Sequence, residues 1–133
     1  MEPKDEVNKV EEWIEENPLA RVLLEKSGLD KGVLKTLLLY YWSEDVTFEG
    51  LAQRLDLKKP GAWKRWRKGL DTIIQSFYTI ELAVYSGILD AETAKLLAED
   101  LQDYVELTEE EGDLEAIRDR LEKRMVELKG QGF

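Results

Sequence analysis

Apolar residues in this chain recur at three- and four-residue intervals, in short segments separated by helix-capping residues. Residues three and four apart share one face of a helix, whereas a half-buried strand needs strict alternation. No segment sustains alternation, and no Asn-Gly or Asp-Gly pair marks a hairpin. The pattern predicts an all-α fold, a multi-helix orthogonal bundle. With 133 residues, 43% of them apolar, the chain can bury one sizeable core.

The segments read as follows. Val7, Val10 and Ile14 mark a helix over 4–16, stopped by Asn17-Pro18. Pro18 opens a second helix to about 26, with Leu19, Val22 and Leu23 as its stripe. Asp30 caps a third over 31–42, striped by Val33, Leu34, Leu37, Leu38 and Tyr41 and widened by Leu39 and Trp42. Thr47 caps a short helix over 48–55, with Leu51, Ala52 and Leu55 inward. After a turn at 56–59, Pro60 starts a helix reaching about residue 85 and ended by Gly87. Gly69 is a weak point inside it, costing about 1 kcal/mol against Ala. Asp90 caps a helix over 91–107, with Ala94, Leu97, Ala98, Leu101, Tyr104 and Val105 on one side. An acidic connection at 108–113 leads to a C-terminal amphipathic helix, about 114–129. The organisation expected is a helical core over 1–107, then the acidic connection and amphipathic helix over 108–133.

The chain has no Cys and no His. Thiolate metal sites, thiol nucleophiles, imidazole bases and Ser-His triads are therefore excluded. No cofactor or metal is expected, and no motif argues for an enzyme. The longest apolar run, Leu37 to Trp42, is far too short to span a bilayer. The acidic N-terminus lacks a signal-peptide pattern. These features predict a cytoplasmic protein without membrane contact. Few Asn and Gln beside abundant Glu, Lys and Arg give a thermophile-like composition.

The net charge is −10, but it is unevenly placed. Between Gln53 and Gly69 stand Arg54, Lys58, Lys59, Lys64, Arg65, Arg67 and Lys68, against the single acid Asp56, a local net of +6. A local field acts over about a Debye length, roughly 10 Å in ordinary salt, so this island matters more than the overall acidity.

Residues 47–70, TFEGLAQRLDLKKPGAWKRWRKGL, combine a short helix carrying Ala52 and closed by Leu55, a turn with Leu57, and a second helix with a small inward Ala62. This stretch resembles a helix-turn-helix DNA-binding unit. It is most similar to the wingless, all-helical kind, such as region-4-like modules of sigma factors and some phage or archaeal regulators. The similarity covers about residues 30–77, with the motif at about 47–77. Asp56 stands where the motif usually has Gly, Arg65 where it has an apolar residue, and Pro60-Gly61 where it has small polar ones.

The resemblance implies a transcriptional regulator or accessory factor that binds double-stranded DNA. On a helical wheel Ala62, Trp66, Leu70, Ile73 and Phe77 point to the core, and Lys64 and Lys68 point away. Trp63 sits at the border. Lys59, Lys64, Arg67 and Lys68 would face the major groove, with Arg54, Lys58 and Arg65 on phosphates. The alternative is a helical protein-interaction module whose basic face docks an acidic partner without touching DNA. Exposure of that face separates the two. The acidic remainder could itself recruit a protein partner. The stripe Leu114, Ile117, Leu121, Met125 and Leu128 suggests a homodimer through the terminal helix.

Overall fold

In the computed structural model, which describes residues 3–109, six helices follow in chain order. They are α1 (Pro3–Glu16), α2 (Pro18–Lys26), α3 (Lys31–Trp42), α4 (Phe48–Leu55), α5 (Lys59–Tyr85) and α6 (Ala91–Glu109). No strand occurs among the described residues, in accord with the all-α expectation. The acidic connection beyond Glu109 and the stripe Leu114, Ile117, Leu121, Met125 and Leu128 lie outside the described residues. α6 itself crosses the 107/108 boundary drawn from the sequence. The chain divides into two compact units, residues 1–77 and 78–133, with the division inside α5.

The helix starts lie where capping residues put them. Asn17 Oδ1 accepts from the Ala20 N–H at 3.0 Å, Asp30 Oδ1 from Val33 at 2.8 Å, and Thr47 Oγ1 from Gly50 at 3.0 Å. Each cap satisfies one of the N–H groups that a helix start leaves unpaired. α4 ends on Asp56 in the left-handed region, φ 54° and ψ 46°. The Leu57 N–H then reaches back to the Ala52 carbonyl at 2.9 Å, and the Asp56 N–H to Gln53 at 3.3 Å, the two bonds of a Schellman closure.

The core of the first unit joins Val10 and Ile14 of α1, Leu39 of α3, Leu51 and Ala52 of α4, and Ala62 of α5. α3 is central to this core: it buries Val33, Thr36, Leu37 and Leu39. Tyr41 and Trp42 do not join the core and stay exposed, Trp42 packing edge-on against Trp13 of α1 at 5.4 Å. The stripe of α2 is also turned from the expected one. Ala20 is buried and Leu24 packs on the core, while Val22 and Leu23 are exposed. A nine-residue helix carries two overlapping apolar stripes, and packing selects the one with the smaller residue.

Gly69 is a close-approach residue rather than a weak point. A Cβ there would stand 2.7 Å from both Leu37 Cδ1 and Val33 Cγ1. Along α5, Trp66 meets Tyr40, Gly69 meets Leu37 and Val33, and Thr72 meets Gly28. α5 therefore runs antiparallel to α3 and passes beyond its start. That is why Phe77, expected in the core, is exposed instead.

In the second unit α5 ends at a turn with Gly87 at φ +81°, and Asp90 caps α6 by accepting from the Thr93 N–H at 2.8 Å. This bond holds the Asp90 carboxyl below the usual range. α6 buries Thr93, Asp100 and Asp103, whereas Leu101 and Val105, on the apolar side read from the sequence, are exposed. Burial pushes the Tyr104 phenol up, and the nearby Asp100 and Asp103 add to the effect.

Candidate nucleic-acid interface

The basic island folds onto α4, a three-residue turn at 56–58, and the first turns of α5. Three contacts of α5 fix how its outer face is presented. Ala62 is fully buried beside Leu51 and Ala52. Trp66 packs on Tyr40 and Phe48, with ring centroids 5.4 Å away in each case, and Tyr40 stacks on Phe48 at 5.6 Å. Gly69 lets the backbone lie close on α3. An aromatic cluster of this kind contributes beyond its buried area and holds the helix in one rotation about its axis.

The opposite side of α5 is open. Lys58, Lys59, Lys64, Arg67 and Lys68 are all exposed. Lys64 and Lys68 are one helical turn apart, and Lys59, Trp63 and Arg67 form a neighbouring row at the same spacing. Trp63 is 47% exposed, so a flat indole edge stands between two cations. The sequence had placed Trp63 only at the border of the core; its spacing from Lys59 and Arg67 was the available signal.

Two of these cations touch carboxylates of the chain. Lys59 Nζ lies 3.9 Å from Glu49 and Arg67 Nε lies 3.2 Å from Asp71, both pairs well exposed. Such pairs are worth a few tenths of a kcal/mol and exchange readily for phosphate. Among the described residues Lys58, Lys64, Arg65 and Lys68 have no carboxylate within 4 Å.

Two members of the island are placed differently from expectation. Arg54 does not stand free for phosphate: its Nε donates to Glu6 of α1 at 2.6 Å, with both side chains 17% exposed. This bond, with a second from Ser43, holds the Glu6 carboxyl below its usual range. Arg65 is half-buried over the first turn of α3, its Nη1 3.4 Å from where a Gly32 Cβ would be. It is the guanidinium itself that lies on this turn, with Cζ 3.7 Å from the same point.

Among the described residues no group of three or more acidic side chains could hold a metal ion. None of their helices is long and apolar enough to cross a membrane. No known protein-family model, curated protein or solved structure matches this chain.

Proposed function

We propose that this protein binds double-stranded DNA through the α4–turn–α5 unit, as a transcriptional regulator or accessory factor. The observation that carries the reading is the open basic face of α5, set on a helix whose rotation is fixed by Ala62, Trp66 and Gly69. A rigid helix with exposed Lys and Arg at its start suits phosphate and base-edge contact. Lys58 on the turn and Lys59 at the start of α5, with Lys64 and Lys68, serve phosphates. Arg67 can exchange Asp71 for a base edge. Arg54 supports the unit from within.

The test is fluorescence anisotropy with a mixed-sequence duplex over a salt series. Affinity should fall steeply with salt, log K dropping by roughly 0.9 per log unit for each phosphate neutralised. Lys64→Ala with Lys68→Ala should flatten that slope by about 1.8 if each Lys holds one phosphate, with helical content unchanged. Absence of binding at low salt, or binding indifferent to the double change, overturns the proposal. Binding of an acidic peptide but not DNA would assign the same face to a protein partner.

A further inference from the structure

Of the four tryptophans in the chain, three meet another aromatic ring. Trp13 and Trp42 pair edge-on, and Trp66 lies against Tyr40 and Phe48. Trp63 has no ring partner among the described residues and is 47% exposed. No cation of the described residues caps its ring either; the cation–π contact among them is Lys9 over Trp42, at 5.9 Å. Nor can Trp63 turn inward. It lies about 90° round α5 from the side that Ala62, Trp66 and Gly69 set against the core. Leaving half an indole in water forgoes burial that a tryptophan ordinarily gains.

The surroundings of the indole decide what it can gain from a partner. Lys59 and Arg67 precede and follow it by one helical turn, and Lys64 is its neighbour in the chain, all three exposed. An apolar protein surface laid on Trp63 would strip water from these cations without supplying counter-charge, which is costly. Duplex DNA supplies phosphates to the cations. In its major groove the faces of the bases are hidden in the stack, and their edges present polar donors and acceptors. The apolar group displayed there is the 5-methyl of thymine.

We infer that Trp63 is the residue with which the α4–turn–α5 unit recognises thymine, its indole packing on the 5-methyl group in the major groove while Lys59 and Lys64 hold phosphates beside it. The inference rests on the duplex-DNA reading above. It adds sequence preference to a face whose lysines, bound to phosphates, carry no base information. Removing the methyl forfeits the burial of one such group, so the preference is roughly three- to fourfold per contacted thymine.

Duplexes that differ only in this methyl test it, by fluorescence anisotropy at low salt. An alternating A·T duplex presents the methyl at every base pair, and its A·U counterpart presents none. The full-length wild type should bind the A·T duplex roughly three- to fourfold more tightly. An alternating G·C duplex should gain by a similar factor when its cytosines carry a 5-methyl group, which occupies the same place in the groove. Trp63→Ala should remove both preferences while keeping the steep salt dependence and the helical circular dichroism. Trp63→Phe, which keeps an apolar ring, should retain them. Equal binding of the A·T and A·U duplexes by wild type overturns the inference and leaves the DNA reading standing. A preference that survives in Trp63→Ala does the same, because it comes from duplex deformability or another residue. Loss of helix in Trp63→Ala would make Trp63 a packing residue and also overturns it. No binding to any duplex overturns both readings, and binding of an acidic peptide instead would give Trp63 to a protein partner.

Discussion

Gly69→Ala should destabilise the protein, although helix propensity alone says the opposite. An alanine in place of a helical glycine is favoured by about 1 kcal/mol. At residue 69 the new carbon would lie 2.7 Å from Leu37 Cδ1, 2.7 Å from Val33 Cγ1 and 3.0 Å from Leu37 Cγ. Carbon pairs rest at about 3.5–4.0 Å. Leu37 and Val33 are both buried, and Val33 is held to essentially one rotamer in a helix. Relief therefore requires α5 to back away from α3, which disturbs Ala62 and Trp66 as well. Overpacking of this kind costs about 1–3 kcal/mol. Set against the propensity gain, the net loss is on the order of 1 kcal/mol. Urea unfolding followed by circular dichroism measures it. The same change made with Val33→Ala should cost less than in the wild type, with a coupling of at least about 0.5 kcal/mol. A Gly69→Ala protein more stable than wild type, or strict additivity with Val33→Ala, would refute the close approach.

Two further outcomes follow from local geometry. Asp56 holds a left-handed conformation, so Asp56→Val should lower stability by about 1–2 kcal/mol while Asp56→Gly does not lower it; denaturant midpoints check both. Glu6 is held below its ordinary value of 4.5, chiefly by the bond from Arg54. A depressed carboxyl contributes stability that is complete above its unfolded value and is lost as pH falls through the folded one. The deficit of Glu6→Gln against wild type should therefore be full at neutral pH and shrink in acid below about pH 4.5; a deficit constant with pH would show that the charge is irrelevant.

Much of the fold was legible because its punctuation is local. Asp30, Thr47 and Asp90 cap helices through bonds to residues three positions on, and a sequence displays that spacing directly. What a sequence does not display is which of several possible partners a side chain meets. Gly69 reads as a propensity defect until α3 is laid against it. Arg54 reads as one more cation in a basic island, because its partner Glu6 lies 48 residues earlier. The apolar stripes of α2 and α6 meet solvent in part for a related reason. Both helices carry apolar residues on more than one side, and a stripe does not say which of its residues meets a partner. The basic face of α5 was legible by wheel geometry alone, since Ala62 and Trp66 set its inner side.

The Glu6–Arg54 pair also sets a timetable for the nascent chain. α1 makes its contacts with partners far along the sequence: Lys35 is 24 residues from Glu11, Ser43 is 37 from Glu6, and Arg54 is 48 from Glu6. A ribosome adds about 5–20 residues per second, so roughly 2–10 s separate the synthesis of Glu6 from that of Arg54. Through that interval Val10 and Ile14 lack Leu51 and Ala52, the α4 part of the core they share. α1 is thus fully housed only seconds after it is made, and a chaperone that reads short apolar stripes has its opening in that interval.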